Sequence, residues 1–264
     1  MDMPAGTQSL SRSIKLLRVL ATRGEIGWRL SDVAAACGLD KGTAHRILSA
    51  LVQERLVQQR PGDKRYLPGP LVYELGLSLH GQHAFQATAE AQLGSWGRRM
   101  DGNALLLLRS GYEYVCSVRA GPAKVPGLMV DHGTRRPLFT SVGGVAIILA
   151  LPEEEARDVL ENNIAQEIAK QGSSRLPALE RMRERSRRHG FGVNLGDVVG
   201  GIHAFAVALA APDGKPFAAL CLMGTDERFP EERLDALHQE LRRMAEVLER
   251  DAANMLFGMD ATEP

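Results

Sequence analysis

Five apolar residues between positions 40 and 57 recur at the spacing of one helix face. They fall at i, i+3, i+4, i+7 and i+8, which is the buried stripe of an amphipathic α-helix. Asp40 comes before the stripe and is predicted to be the N-cap of this helix. The opposite face begins with short hydrogen-bonding side chains and two cations, a composition that suits a DNA groove as well as water. The apolar residues are Ala44, Ile47, Leu48, Leu51 and Val52.

A shorter helix is predicted directly before this one. Ser31 is expected to cap it, Asp32–Cys37 to form its two turns, and Gly38 to end it in the left-handed conformation. Two helices joined by a glycine turn are typical of a helix-turn-helix, whose second helix enters the major groove. Taken alone, the second helix would be interpreted as an ordinary solvated helix, and the shorter helix is what favours DNA binding.

The flanking segments complete a winged helix-turn-helix. From Ser9 onward, apolar residues at helical spacing predict a first helix that packs under the other two. Residues 57–69 contain two short runs around Pro61-Gly62-Asp63, which predicts a β-hairpin, the wing. An ordinary charged surface hairpin is the alternative for this stretch. The first helix has Leu10, Ile14, Leu17 and Leu20 on its apolar side, and the wing carries Arg60, Lys64 and Arg65.

A further helix is predicted from Pro70 to about Gln82. Leu71, Leu75 and Leu79 form a narrow apolar seam along it, which is more than a lone exposed helix needs. We expect this linker helix to pair with that of a second copy, and packing against the same chain is the alternative. The predicted domains are therefore a winged helix-turn-helix at 1–69, a linker helix at 70–83 and a second domain at 84–264.

Apolar runs after position 84 predict an antiparallel sheet with helices packed on it, so the fold class is α+β. Ser110-Gly111 is expected to form a two-residue turn, and residues 131–137 a polar loop. Ser141 begins a helix with Gly143 and Gly144 in its first turn. The free amides there favour an anionic ligand, with simple capping and packing as the alternative. Strands are predicted at 103–109, 112–119, 190–194, 203–210 and 217–223, and further helices at 85–100, 153–170, 177–189 and 231–255.

The formal net charge is zero, but the charges are unevenly distributed. Residues 1–66 hold 11 Lys and Arg against 6 Asp and Glu, whereas the remainder holds 21 against 26. The basic end coincides with the helix-turn-helix, as expected for a domain that meets phosphates. Cys37, Cys116 and Cys221 are too scattered for a zinc site, a disulfide framework or a redox pair. The apolar runs are too short for a membrane span and no signal pattern is found, so a cytoplasmic protein is expected.

Several segments, taken in their order and spacing, resemble the IclR family of bacterial transcriptional regulators. They are SLSRSIKLLRVLA, LSDVAAACGLDKGTAHRILSALVQERLV, GTRRPLFTSVGGVAIILALPEEE and HGFGVNLGDVVGGIHAFAVALAAPDGKPFAALCLMG. The resemblance implies a winged helix-turn-helix joined by a linker helix to a GAF-like or PAS-like α/β effector-binding domain. It also implies a double-stranded DNA operator, control by a small-molecule effector such as an organic or aromatic acid, and a homodimer or a dimer of dimers. No cofactor and no metal are expected.

The predicted DNA contacts come from the recognition helix, the wing and two further exposed positions. They are Arg12, Ser31, Lys41, Thr43, His45, Arg46, Arg60, Lys64 and Arg65. The predicted effector site combines the helix start with positions that the family resemblance implies. It comprises Ser141, Val142, Gly143, Gly144, Asn194, Ala204, Cys221 and Met223, with Phe205 as a further apolar wall if its strand faces the same cavity. Val145 and Asp197 replace the lysine and glutamate more usual in the family, and the less polar set indicates a larger, partly apolar effector.

Two other classes of function compete with this interpretation. An enzyme could draw a triad from Ser141, His203 and Asp197, but the chain has no nucleophile elbow of the G-x-S-x-G type. His80 and His83 have no third metal ligand in view. A ligand-independent DNA-binding protein would leave the large acidic domain without a task, so it ranks below a regulator and above an enzyme. We therefore predict a regulator that is not an enzyme.

Overall fold

The computed structural model describes residues 7–121 and 130–258. After His80 the chain divides into two compact units. The first unit is a winged helix-turn-helix, in which three helices precede a two-stranded antiparallel hairpin and a short fourth helix. Its elements are α1 (Gln8–Ala21), α2 (Leu30–Cys37), α3 (Lys41–Gln53), β1 (Val57–Gln59), β2 (Tyr66–Pro68) and α4 (Pro70–Leu77). The core of this unit includes Leu16, Leu20, Val33, Leu48, Val57 and Tyr66.

Three helix ends of this unit are predicted from the sequence, and the structure agrees with two of them. Asp40 caps α3, because its Oδ1 accepts a hydrogen bond from Thr43 N at 2.8 Å. Gly38 ends α2 in the left-handed conformation, with φ at 66°. Both predictions are confirmed. Ser31 as the cap of α2 is wrong: the helix begins two residues earlier, at Leu30 after Arg29, and the Ser31 hydroxyl donates to Asp32 Oδ1 instead.

The apolar face of α1 differs from the prediction. Leu16 and Leu20 are fully buried, whereas Leu10 is 60% exposed and Ile14 is 43% exposed. The core of this small unit takes the apolar side chains of the last two turns only. Leu10 and Ile14 therefore lie on the surface of the first two turns, where the apolar pattern alone could not distinguish them from core residues.

The predicted linker helix is also shorter than expected. Helix α4 ends at Leu77, and α5 (His80–Met100) begins after a break. The Ser78 hydroxyl donates to Leu75 O at 2.7 Å, while Ser78 N also bonds to that carbonyl. A side chain that bonds back to the helix in this way competes with its continuation. The prediction of one helix to Gln82 is therefore wrong.

The second unit is a six-stranded antiparallel sheet in the order β5-β4-β3-β8-β7-β6 with helices on both faces. The two-residue turn lies at Gly111-Tyr112, one position later than predicted, because Ser110 pairs with Glu113. The expected polar loop contains a short edge strand, β5. The strands are β3 (Asn103–Ser110), β4 (Glu113–Ala120), β5 (Arg135–Pro137), β6 (Gly192–Leu195), β7 (Ile202–Ala210) and β8 (Pro216–Thr225). The remaining helices are α6 (Val142–Leu149), α7 (Glu153–Gln171), α8 (Leu176–His189) and α9 (Leu234–Leu256).

The alternation of side chains along each strand divides this unit into two cores. Helices α5 and α9 cover one face, on which Leu106 of β3 lies. Helices α6, α7 and α8 cover the other, on which Leu105 lies. Phe205 packs in the first core and its neighbour Ala204 in the second. The expectation that Phe205 joins the effector wall is therefore wrong, since its side chain lies on the opposite face of the sheet.

Candidate DNA-contact surface and effector pocket

The exposed face of α3 carries most of the predicted base contacts. Lys41, His45 and Arg46 are exposed, and Thr43 is half-buried beside the N-cap. Arg46 Nη2 lies 3.4 Å from Thr43 Oγ1, which orients the guanidinium along the helix surface. The buried side of the same helix holds Ala44, Leu48 and Leu51. Packing thus fixes α3 and leaves a polar, cationic surface of the size and shape that the major groove accepts.

The wing uses two of its three cations inside the domain. Arg60 donates to Glu25 O and Ile26 O, each at 3.0 Å, and to both carboxylate oxygens of Asp63. Arg65 donates to Gly27 O at 3.1 Å. The hydrogen bond from Arg60 lowers the pKa of Asp63 to about 2.

These contacts tie the hairpin to the segment that precedes α2. The side chain of Lys64 is exposed and has no partner in the described parts of the chain. Among the predicted wing contacts, Lys64 therefore presents the charge that is most available to a phosphate. Arg12 on α1 and Ser31 on α2 are both exposed.

Seven of the eight predicted effector residues line one cavity of about 100 Å³ in the second unit. The cavity lies between the N-terminus of α6, strands β3, β7 and β8, and the loop at 196–201. Gly144 is the predicted residue that the lining does not include. The seven are Ser141, Val142, Gly143, Asn194, Ala204, Cys221 and Met223.

The two glycines of α6 allow close packing at the start of the helix. Gly144 N donates to Ser141 Oγ at 3.0 Å, so the expectation of a free amide at Gly144 is wrong. A Cβ on Gly144 would overlap the carbonyl group of Leu138, and one on Gly143 would lie 2.5 Å from Cys221 Sγ. The amides of Val142 and Gly143 donate to no such cap, and neither has a hydrogen-bond partner in the described parts of the chain. These two amides are the donors that the helix start offers to the cavity.

The cavity also contains polar side chains from three strands. Asn194 is 6% exposed, and its Oδ1 accepts from Asp197 N at 3.0 Å, which leaves the NH₂ group as its available donor. Burial raises the pKa of Tyr114 to about 12, against the opposing effects of the Arg136 charge and a hydrogen bond with Ser141. The phenol is therefore neutral and can donate. Arg136 is the single charged side chain in the described lining, and no Asp or Glu belongs to it.

The sequence did not reveal Tyr114 or Arg136 as site residues. Arg136 lies on β5, within the stretch interpreted as a polar loop, and Tyr114 pairs with it across β4 and β5. Neither hydrophobic periodicity nor a motif marks an edge strand of three residues. The signal that was available is the unusual pair Arg135-Arg136 directly before Pro137.

The three residues of the hypothetical triad are not joined to one another. Ser141 Oγ accepts from the Gly144 amide, and His203 Nδ1 hydrogen bonds with Phe229 O at 2.7 Å. Asp197 is held by Arg185 of α8. Within 7–121 and 130–258, no cluster of three His, Cys, Asp or Glu side chains could hold a metal. No helix of the same ranges is long and apolar enough to cross a membrane.

A winged helix-turn-helix followed by an α+β domain with an internal pocket defines a DNA-binding transcriptional regulator of two domains. The chain belongs to the IclR family of bacterial transcriptional regulators. Residues 9–61 match the model of the IclR helix-turn-helix domain, and residues 83–250 match that of the bacterial transcriptional regulator IclR C-terminal domain. The family assignment, the fold class and the role as a DNA-binding regulator, all predicted from the sequence, are confirmed.

Three similar proteins are one relative in sequence and two in fold. The glycerol operon regulatory protein of Streptomyces griseus is 31% identical over 213 residues, which is 80% of either chain. An IclR family transcriptional regulator from Brucella abortus has the same fold, with a TM-score of 0.73 and 20% identity over 95% of this chain and 94% of that one. An IclR homolog from Microbacterium hydrocarbonoxydans, complexed with 4-hydroxybenzoate, has a TM-score of 0.65 and 18% identity over 92% of this chain and 98% of that one.

Proposed function

We propose that an organic or aromatic acid binds in the pocket at the start of α6 and thereby modulates how tightly this regulator binds its operator. The observation that carries the proposal is the cavity itself, which gathers seven residues expected from the helix start and from the family resemblance. Its lining offers the amides of Val142 and Gly143 as well as the Asn194 amide, and none of its described side chains is acidic. A site without carboxylates and with several N–H donors favours an anionic ligand.

The size of the pocket fits a small acid with an apolar body. A volume of about 100 Å³ is of the order of the dry apolar cavities, roughly 150 Å³, that accept benzene. The N-terminus of α6 favours an anion by about 0.3–1 kcal/mol even at an exposed site, and by more when partly buried. The relative from Microbacterium hydrocarbonoxydans binds 4-hydroxybenzoate, an acid of this size and class.

The DNA-binding half of the proposal rests on the outer face of α3. Lys41, Thr43, His45 and Arg46 contact base edges or phosphates in the major groove, and Lys64 contacts the DNA backbone beside it. Arg60 and Arg65 hold the wing in place and add to its positive field. Arg12 and Ser31 complete the surface. A regulator that acts on DNA in this way belongs in the cytoplasm.

Assembly as a homodimer, or as a dimer of dimers, supplies the two recognition helices that an operator with two half-sites requires. Helix α4 is the surface that supports this part of the proposal. None of its residues is buried, and its large side chains Tyr73 and Leu75 are 69% and 57% exposed. Val72, Leu77 and Leu79 extend the exposed apolar surface. The same helix of a second copy is a self-complementary partner for it.

The test uses the substitution Asn194→Asp, which keeps the acceptor for Asp197 N but replaces the available donor with a negative charge. Operator binding of the full-length protein is titrated with benzoate and 4-hydroxybenzoate, and the affinity for whichever acid alters it is measured by calorimetry. We expect the affinity to fall at least about tenfold, or roughly 1.4 kcal/mol. Asn162→Ala, on α7 outside the pocket, is the matched control and should leave it unchanged. An Asn194→Asp protein that binds the acid like wild type places the site elsewhere.

A ligand-independent DNA-binding protein is the second candidate. This candidate predicts that no small acid alters operator binding or the stability of the second unit. The buried Asn194 donor and the unbonded amides of Val142 and Gly143 speak against it. Donors that converge on an internal pocket are typical of a ligand site.

A further inference from the structure

We infer that Arg136 recognises the carboxylate of the effector, so that the pocket selects acids over neutral molecules of the same shape. The inference rests on the proposed effector site and goes beyond it by assigning the charge-selecting residue. It moves the main electrostatic contact from the helix N-terminus, which the sequence indicates, to a side chain on the edge strand β5.

The position of Arg136 follows from the register of the sheet. On β5 it pairs directly with Tyr114 of β4, and both residues line the cavity together with Ser141. The neighbouring residue Arg135 is engaged elsewhere, because its Nη1 donates to Glu113 Oε2 at 3.1 Å and to Ser110 Oγ at 2.9 Å. Alternation along the strand thus gives the two adjacent arginines different roles. One forms an ion pair within the sheet, and the other lines the pocket.

The charges around the cavity favour an anion at this end. Arg136 is half-buried, and it is the one charged side chain in the described lining of the cavity. A guanidinium has five N–H donors in a planar fork, so it can serve a protein partner and a ligand carboxylate together. Tyr114 OH and Ser141 Oγ lie at the same end, and the amides of Val142 and Gly143 follow at the start of α6. A carboxylate placed here meets a cation and several neutral donors.

The remaining lining defines the rest of the ligand. Leu105, Leu107, Cys221 and Met223 form an apolar wall. Asn194 contributes one donor, on a different strand from Arg136. The pocket therefore fits a monocarboxylate with a compact apolar body and one further oxygen acceptor, such as a hydroxy or keto group. A neutral amide of the same shape would lose the charge-assisted contact with Arg136 and keep the others.

The experiment compares acids with their own amides. Calorimetry on the full-length protein measures the affinities for benzoate, 4-hydroxybenzoate and 2-oxobutyrate, each beside its carboxamide. Wild type should prefer at least one acid over its amide by tenfold or more. Arg136→Gln should remove that preference, lowering the acid affinity at least tenfold and the amide affinity less than threefold. Arg136→Lys keeps the positive charge without the planar guanidinium, so it should retain part of the preference for the acid. Arg135→Gln is the matched control and should behave as wild type.

The outcomes separate this inference from the proposed function. If wild type binds one of the acids and Arg136→Gln keeps the acid-to-amide ratio, the assignment of Arg136 is wrong while the effector pocket stands. If wild type prefers the amides, the assignment is also wrong. If wild type binds no compound of the panel, the acid-binding function itself fails. The ratio is the decisive readout, because general damage to the fold by Arg136→Gln would weaken acid and amide together, and Arg136→Lys tests the charge in a second variant.

Discussion

Gly144→Ala should destabilise the second unit because the added methyl group has no space. Its Cβ would overlap Leu138 O and lie 2.5 Å from Leu138 C and 2.6 Å from Leu138 Cα, where ordinary contacts are 3.4–4 Å. All three atoms belong to the backbone, so the turn before α6 has to move by about 1 Å. Overpacking of this kind costs typically 1–3 kcal/mol, and the gain of about 1 kcal/mol from better helix propensity does not offset a clash with backbone. We expect a net loss of about 2 kcal/mol.

Fluorescence unfolding can report on this unit alone. The chain has two tryptophans, and in a Trp28→Phe background Trp96, buried on α5, reports only the second unit. The control is Gly94→Ala, also on α5, whose Cβ would meet nothing nearer than Arg98 Nη1 at 3.8 Å. It should stabilise the unit by roughly 0.5–1 kcal/mol. Equal stabilities for Gly144→Ala and Gly94→Ala in urea would refute the packing role of Gly144.

Four further outcomes concern the first unit. Arg46→Ala should reduce discrimination between operator and mismatched DNA by about 1–3 kcal/mol, and equal discrimination in gel shifts would remove the recognition-helix assignment. Lys64→Ala should weaken binding to all DNA sequences alike. It should also reduce the magnitude of the slope of log K against log salt by about 1 per chain, so an unchanged slope would exclude a phosphate contact. Leu75→Asp should shift sedimentation from dimer to monomer, and a dimer that persists at micromolar concentration would contradict pairing through α4. The pKa of Asp63 is lowered to about 2 from 3.8 by the hydrogen bond from Arg60. Its stabilising contribution is therefore present above the ordinary pKa and is lost as pH falls toward 2. In an NMR titration Arg60→Gln should raise that pKa, and an unchanged value would exclude Arg60 as the cause.

Elements with a strong local signal could be predicted from the sequence. Helix α3 follows its apolar stripe, and Asp40 and Gly38 mark the two ends of the turn before it, because their own chemistry suits those positions. The five predicted strands of the second unit also follow their apolar runs, with ends that differ by at most two residues. These signals are local, since capping, left-handed turns and periodicity depend on neighbours in sequence.

Features set by tertiary contacts could not be predicted in the same way. Leu10 and Leu20 share one helical pattern, yet only Leu20 reaches the core. Arg60 looks like a free surface cation until the fold brings it against Glu25 O and Ile26 O. Arg136 lies in a polar stretch, and it joins the pocket only because β5 adds to the edge of β4. In each case the deciding partner lies outside the local sequence window.

The pocket links ligand binding to the stability of the second unit. Ala204 is a small side chain on the face of β7 that lines the cavity of about 100 Å³. An acid bound there would accept hydrogen bonds from the amides of Val142 and Gly143 and from the Asn194 NH₂ group. At 100 times its Kd it would stabilise the unit by about 2.7 kcal/mol. Only conformations that keep the pocket intact gain this free energy, and that difference between conformations is what an effector needs to change DNA affinity.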